Sequence, residues 1–393
     1  MAPPPLTGTR VLDLTLSLAG PLTTMHLGDM GAEVVRIEPP GGDEWRRHER
    51  IPGLEDRGRH HMQANRNKRS VCLDLTRPAA GEVLRDLIGR ADVLVTNMRP
   101  GVPERLGFGW DDCRRLNPGL VYCDITAFGR TGPRAGLPGY DLLAQGLAGF
   151  MPRDSEGVPT PSPIPITDTA LPLVACTAIL AALLERERGG RGQRVEATIL
   201  GTAVALNAHS LVRVASRPRH GASAFSRAFF RAYRTADGWL TVAAYAERMA
   251  GRLCTALGLE GLLEEPPWDD RVTRAERADE LVAILAPRML ARTTAEWDRL
   301  LARAGVPAAP VRERDDLFDD EQALAMGLLE EVDDPEAGLL LMTAPVVRMS
   351  ETPGAVRFAG RRLGADTEAV LAELGRSAQE IAALVAEGAA LTA

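Results

Sequence analysis

The stretch Arg10–Glu38, RVLDLTLSLAGPLTTMHLGDMGAEVVRIE, decides the fold. Arg10–Thr15 alternates in polarity and carries β-branched residues, a pattern that predicts a strand. Leu22–Met30 has a helical pattern that Gly31 stops, and Glu33–Glu38 predicts a second strand. A strand, a helix and a strand in this order make a βαβ unit, so we expect a parallel sheet.

The same alternation continues along the chain. Further strands are predicted at Ser70–Leu75, Ala91–Thr96 and Leu120–Ile125, and a helix at Pro78–Arg90. The predicted fold class is therefore α/β, with a Rossmann-like large domain built on an open parallel sheet. Its first turn, Thr15–Pro21, contains one glycine, whereas the dinucleotide fingerprint needs three. A nicotinamide cofactor is therefore not expected.

Composition and charge exclude several classes of protein. A chain of 393 residues suggests two or three domains, and its net charge of −7 and 4% aromatic content argue against nucleic-acid binding. No uncharged apolar stretch has transmembrane length, and the N-terminus lacks a signal sequence, so we expect a cytoplasmic protein without membrane association. The cysteines are scattered and lack CxxC spacing, which argues against disulfides and a structural zinc site: Cys72, Cys113, Cys123, Cys176 and Cys254.

A second, smaller domain is predicted after the large one. Residues 1–214 form the N-terminal part of the large domain, and the polar stretch 215–227 forms a linker. Residues 228–312 combine a hairpin with helical patterns and form a small α+β domain. Residues 313–393 follow as a further linker and C-terminal segment.

The stretch around Asp168 permits two interpretations. Asp168 follows a proline-rich loop and precedes an apolar run, Ala170–Leu184, that Gly189 and Gly190 terminate. As an N-cap it would satisfy the first N–H groups of the helix, whose dipole favours the ionised carboxylate. The same carboxylate could instead attack an acyl carbon and form a covalent intermediate. The spacing alone leaves both roles open.

Seven strings in one order, spread over nearly the whole chain, resemble the family III CoA-transferases, the CaiB/BaiF group that includes the formyl-CoA and carnitine CoA-transferases. They are Ala19–Pro21 with Gly28–Pro39, Asn67–Asp74, Asn97–Phe108, Gly139–Gln145, the Asp168 helix with Gly190–Gln193, Gly305–Pro307, and Leu363–Glu368.

The resemblance implies an enzyme that transfers CoA between carboxylic acids. Asp168 would attack the acyl-CoA thioester to form a mixed anhydride and then an aspartyl-CoA thioester, from which the acceptor acid collects CoA. No tightly bound cofactor is implied, because coenzyme A is substrate and product. The implied assembly is a homodimer of interlocked rings, in which each C-terminal segment returns to the large domain.

The predicted CoA site lies after the fourth strand, with one further position in the third. Arg99 and Arg105 follow that strand, at the carboxyl edge where open α/β sheets bind ligands, and guanidinium groups suit phosphates. The resemblance adds four positions around adenosine and pantetheine: Leu73, Asn97, Met98 and Leu106. Lys68 and Arg69 are secondary candidates for phosphate contacts.

The 2-methylacyl-CoA racemases share the fold but place a histidine before the aspartate of the Gly139-Tyr140-Asp141 string. Tyr140 is a poor base at neutral pH, which favours transferase over racemase. Tyr140 is expected to bond an acyl oxygen or to pack, Asp141 to cap the following helix, and Glu247 to begin a helix rather than assist a histidine. A Rossmann-type binding protein without covalent chemistry is the more distant alternative.

Two departures from formyl-CoA transferase concern the substrate. Leu18 stands where that enzyme has glutamine. The glycine-rich loop that shields the reaction intermediate in formyl-CoA transferase has no counterpart in this sequence. A larger or more apolar acid than oxalate or formate is therefore expected, for example a dicarboxylate half-thioester or an aryl or branched acid. The arginines of the stretch 215–231 either bind an acceptor carboxylate or are solvated: Arg217, Arg219, Arg227 and Arg231.

Overall fold

The computed structural model describes residues 2–154, 156–216 and 226–393. The chain divides into two compact units, of which the first contains Met1–Leu211 and Gln322–Ala393 and the second Val212–Glu321. Most of the predicted linker, with Arg217 and Arg219, lies outside the described residues.

The N-terminal part of the first unit alternates strands and helices, as the βαβ pattern predicts. Its strands are β1 (Arg10–Leu14), β2 (Glu33–Glu38), β3 (Lys68–Leu73), β4 (Val93–Thr96), β5 (Val121–Thr126) and β6 (Arg194–Thr198). Its helices are α1 (Ala19–Asp29), α2 (Arg59–Ala64), α3 (Pro78–Arg90), α4 (Val102–Arg105), α5 (Trp110–Leu116), α6 (Asp141–Leu147), α7 (Ile166–Gly189) and α8 (Ile199–Leu206).

The second unit is a small α+β structure. Its three-stranded antiparallel sheet contains β7 (Phe230–Arg234), β8 (Trp239–Ala243) and β9 (Ala308–Pro310). Its helices are α9 (Glu247–Ala256), α10 (Arg271–Glu276), α11 (Ala278–Met289) and α12 (Thr294–Ala304).

The C-terminal part of the chain supplies α13 (Glu321–Ala325), β10 (Leu329–Asp334), β11 (Gly338–Thr343), α14 (Thr367–Glu373), α15 (Ala378–Ala386) and β12 (Ala390–Leu391). β10 and β11 pair as an antiparallel hairpin. β12 pairs antiparallel with β3, so the end of the chain forms the edge of the large sheet.

The large sheet has the order β12-β3-β2-β1-β4-β5-β6, and all its strands except β12 are parallel. This is the doubly wound order, in which the chain reverses direction across the sheet between β1 and β4. The predicted mixed α/β class is confirmed. The loops that follow β1 and β4 meet at this switch point, where open α/β sheets bind ligands.

Both faces of the sheet are covered by helices, which explains the apolar character of its strands. Leu12 and Leu14 point to the layer of α3, α5, α14 and α15. Val11 points to the opposite layer, which contains α1, α6, α7 and α8. Among the described residues, α7 is the one helix long and apolar enough to cross a membrane by length and composition, but its inner face packs into this second layer.

Candidate active site

Helix α7 begins two residues before Asp168. Pro165 is the N-cap residue, so Asp168 lies in the first turn and is not the cap. The interpretation of Asp168 as the N-cap is therefore wrong, because the helix already begins at Ile166. Asp168 is partly buried, and among the described residues its carboxylate has no hydrogen-bond or ion-pair partner.

Asp141 bonds the start of α7 instead. One carboxylate oxygen of Asp141 accepts hydrogen bonds from the Thr167 backbone N–H (2.7 Å) and the Thr167 hydroxyl (2.5 Å). Its other oxygen accepts a bond of 2.5 Å from the Gln145 amide, whose own oxygen accepts the N–H of Ser162 at 2.9 Å. Asp141 was expected to cap α6, but it lies within that helix and satisfies a free N–H of α7. These bonds fix the position of the first turn, which carries Asp168.

The environment of Asp168 holds a proton more tightly than an ordinary carboxylate does. Burial raises the pKa of Asp168 to about 6, and the charge of Asp141 adds to this effect. The expectation that the helix N-terminus would favour the ionised form is not met, because burial and a like charge outweigh it. A carboxylate with few partners is costly to ionise but nucleophilic once it is ionised.

Tyr140 lies beside the same segment. It is the N-cap residue of α6, and its side chain is 69% exposed. Gly139 is required just before it, because a Cβ there would overlap Ala127 and Phe128. Since Asp141 bonds Thr167, the predicted catalytic residues Tyr140 and Asp168 lie on two adjoining segments.

The residues predicted to bind CoA divide into exposed and buried groups. Arg99 and Arg105 are exposed, and neither forms an ion pair within the described part of the chain. Met98 and Leu106 are partly buried against the first core layer. Leu73 is 1% exposed, so its side chain belongs to the core and can face no ligand.

Asn97 positions the neighbouring loop. Its amide oxygen accepts the Leu16 N–H at 2.9 Å, and its amide nitrogen donates to the Leu16 carbonyl at 2.7 Å. Both ends of the side chain are thereby used to join the loop after β4 to the loop after β1. Leu18, the site of the departure from formyl-CoA transferase, is the N-cap residue of α1 in that second loop.

Lys68 and Arg69 are not available to phosphates. The Lys68 ammonium donates to Asp13 (2.9 Å), Asn65 (2.9 Å) and the Pro21 carbonyl (2.7 Å), which uses all three of its protons. Arg69 forms ion pairs with Glu33 and Glu373. The interpretation of this basic pair as secondary phosphate contacts is therefore not supported.

A buried ionic network missed by the sequence analysis supports the loop after β1. Arg36 bonds Asp43 at 2.8 Å, and Asp43 accepts the N–H of Ser17 at 2.9 Å. Ser17 has a φ of 66°, an uncommon conformation for a residue other than glycine. Asp43 and Asn97 together hold this strained loop at the switch point. Local sequence patterns contain no signal for such long-range pairs.

Two other expectations concern residues in the second unit. Glu247 is the first residue of α9, as predicted, and pairs with Arg271 (3.3 Å) and Arg274 (2.6 Å). Arg227 pairs with Asp279, and the Arg231 guanidinium lies over the Tyr233 ring. The described residues contain no group of three or more His, Cys, Asp or Glu side chains able to hold a metal ion.

Comparisons with known proteins identify the relatives of this chain. A family model described as CoA-transferase family III matches residues 6–367. The chain is 33% identical over 378 residues to the succinyl-CoA:glutarate CoA-transferase of Mus musculus, covering 95% of this chain and 87% of that protein. It is 36% identical over 363 residues to the succinyl-CoA:mesaconate CoA-transferase of Haloarcula marismortui, covering 87% and 89% respectively. The crystal structure of a CaiB/BaiF family protein from Brucella suis matches with a TM-score of 0.82 at 28% identity, covering 95% of this chain and all of that one.

Proposed function

Because the chain belongs to family III of the CoA-transferases, we propose that it transfers CoA from succinyl-CoA to a second dicarboxylic acid through a covalent adduct on Asp168. The two related transferases support this choice of donor and acceptor class, since the name of each pairs succinyl-CoA with a dicarboxylic acid. A dicarboxylate also agrees with the expectation of an acid larger than formate or oxalate.

The state of Asp168 is the observation that carries the mechanism. Its carboxylate is partly buried in the first turn of α7 without a partner among the described residues, while the adjacent bonds to Thr167 fix that turn. A structural aspartate at this depth would be bonded or paired. With a pKa of about 6, roughly nine tenths of the carboxylates are ionised at pH 7. A nucleophile that is desolvated yet ionised suits attack on a thioester.

The proposed reaction proceeds by acyl and CoA exchange at one carboxylate. An Asp168 oxygen attacks the thioester carbonyl, the C–S bond breaks, and CoA thiolate leaves a succinyl-aspartyl anhydride. The thiolate attacks the aspartyl carbonyl and releases succinate, which leaves an aspartyl-CoA thioester. The acceptor carboxylate attacks the aspartyl-CoA thioester and releases CoA thiolate, which leaves an anhydride between the acceptor and Asp168. The thiolate then attacks the acceptor's carbonyl in this anhydride, forming the new acyl-CoA and regenerating the Asp168 carboxylate. No proton is gained or lost overall.

The other residues are assigned by their placement. Tyr140, with an exposed side chain on the segment bonded to α7, donates a hydrogen bond to the acyl oxygen of the substrate. Arg99 and Arg105, exposed and unpaired within the described residues, bind the phosphates of CoA. Asn97 joins the loop after β4 to the loop after β1, and Met98 and Leu106 lie on the same segment as the two arginines. Leu73 contributes only through the core.

We also propose that two copies associate through the outer surface of α6, α7 and α8. The three helices contact one another and carry large apolar side chains with exposures between 41% and 53%, which we call the apolar patch: Leu142, Leu143, Leu147, Leu173, Val174, Val204 and Leu206. Exposed apolar side chains concentrated on neighbouring helices are typical of a surface that a partner covers. A second copy is the partner that the resemblance implies.

Asp168→Asn tests the covalent mechanism. The amide is nearly isosteric but cannot attack a thioester, so we expect transfer from succinyl-CoA to glutarate to fall by at least about a thousandfold. Mass spectrometry of the wild-type protein incubated with succinyl-CoA alone should show an adduct on the peptide containing Asp168, which hydroxylamine removes.

The matched control is Glu185→Gln, the same chemical change on an exposed carboxylate near the other end of α7. It should retain both the activity and the adduct. Retention of transfer activity by Asp168→Asn would refute the covalent role. Incorporation of solvent deuterium at the α-carbon of a branched acyl-CoA would instead favour racemase chemistry.

A further inference from the structure

The second unit contains an open cavity of about 630 Å3 that the proposed transfer reaction does not use. It lies between α9, α12 and the turn Gly261–Glu264. Leu262, Leu263 and Leu300 supply apolar lining. Its volume lies within the roughly 300–1,000 Å3 typical of small-molecule sites.

Three arginines line this cavity: Arg248, Arg252 and Arg303. Their guanidinium groups form no ion pair or hydrogen bond within the described part of the chain. One carboxylate, Glu264, shares the lining, so the cavity has an excess of positive charge in a chain whose net charge is −7. Guanidinium groups that outnumber the carboxylates around a cavity attract a multiply charged anion.

Helix energetics explain two of these arginines but not the third. Arg303 lies in the last turn of α12, and the Arg252 guanidinium packs above Gly305, the C-cap residue of that helix. Both positions favour a cation. Arg248 is the second residue of α9, where the helix dipole disfavours a positive charge, and it stands four residues before the like charge of Arg252. Its placement costs stability that no described contact offsets.

Gly251 is a second, independent feature of the same wall. It lies in the interior of α9 between the two arginines and lines the cavity. Glycine destabilises a helix interior, and here a Cβ would meet no atom within 4 Å, so packing does not require it. The missing side chain leaves the helix surface open to close approach, which is a common reason for glycine at ligand sites.

We propose that this cavity binds the diphosphate of an adenine nucleotide. Its phosphates lie among Arg248, Arg252 and Arg303, and its base lies against the leucines of the apolar wall. Two molecules present this chemistry: a free nucleoside diphosphate and the nucleotide end of a second coenzyme A, distinct from the one that Arg99 and Arg105 hold. The proposal is independent of the transfer mechanism, because the cavity lies wholly within the second unit.

Isothermal titration of the full-length protein with ADP, at concentrations up to about 1 mM, tests the site. We expect saturable binding of ADP by the wild type, with an affinity that falls steeply as the salt concentration rises. In the double variant Arg248→Ala/Arg303→Ala the affinity should be lower by roughly tenfold or more. Gly251→Leu should weaken binding without lowering the melting temperature, because leucine improves the helix while its side chain projects into the cavity between Arg248 and Arg252. The matched control is Arg299→Ala, which removes an exposed arginine of α12 that does not line the cavity.

The ADP binding that is lost in Arg248→Ala/Arg303→Ala belongs to the cavity, and competition by coenzyme A identifies its source. Displacement of this ADP by coenzyme A assigns the cavity to the nucleotide end of CoA, whereas no displacement assigns it to a free nucleotide. Absence of ADP binding by the folded wild type, or equal affinity in the wild type and the double variant, overturns the proposal.

Discussion

At the scale of the residue, the ionisation of Asp168 determines the expected pH dependence. Burial, with the charge of Asp141, raises its pKa to about 6, and only the ionised form attacks a thioester. Adduct formation from succinyl-CoA should therefore slow as the pH falls through 6, approaching about tenfold per pH unit below it. Rapid-quench measurement of the adduct across this range checks the prediction. A rate independent of pH between about 5 and 7 would contradict it.

The local strings around Asp168 and Tyr140 predict one candidate site, and the structure places these two residues on adjoining segments. Asp141 and Lys68 were misassigned because their partners, Thr167 and Asp13, are 26 and 55 positions away in the chain. A short sequence pattern shows which charged or polar groups a residue carries, but not which distant residues will bond to them.

At the scale of the element, the start of α7 depends on the carboxylate of Asp141. In Asp141→Asn the charge disappears, so the pKa of Asp168 should fall and the acid limb of adduct formation should move to lower pH. The new amide also faces the Gln145 amide, so one bond to Gln145 or Ser162 is lost, which costs about 1–3 kcal/mol of unfolding free energy. The pH profile and urea denaturation measure the two effects.

Thr167→Val separates the two consequences of the Asp141 change. It removes the hydroxyl bond to Asp141 but keeps the backbone bond and every charge. We expect a loss of stability without a shift of the acid limb. An equal shift in both variants would mean that geometry, rather than charge, sets the pKa of Asp168.

The elements themselves were largely predictable, because buried parallel strands and amphipathic helices leave strong periodic patterns. β2 and α3 have the predicted bounds. The starts of α1 and α7 were placed two to three residues late, since a proline in the first turn or at the N-cap is compatible with a helix. The bonds that fix the start of α7 come from another helix, which no local pattern reveals.

At the scale of the whole molecule, the apolar patch on α6, α7 and α8 predicts the oligomeric state. We expect the wild type to sediment at twice the 42.2 kDa mass of the chain. Leu173 is 53% exposed in the single chain. The substitution Leu173→Glu should therefore convert the dimer to a monomer while leaving the fold intact. Sedimentation velocity with circular dichroism measures both properties.

Leu116→Glu is the control for the patch. Leu116 is 44% exposed, but it lies on α5, in the opposite layer of the sheet. It should leave the assembly unchanged. A monomeric wild type at micromolar concentration would exclude the dimer. A dimer that survives Leu173→Glu would locate the interface elsewhere.

The antiparallel strand β12 has a consequence for biosynthesis. The ribosome makes the long first segment of the larger unit, then the whole second unit, and only afterwards the residues that cover β3. During translation the growing polypeptide therefore exposes an unpaired strand edge, a surface prone to aggregation, until β12 emerges. The emergence of β12, rather than of any earlier segment, completes the sheet.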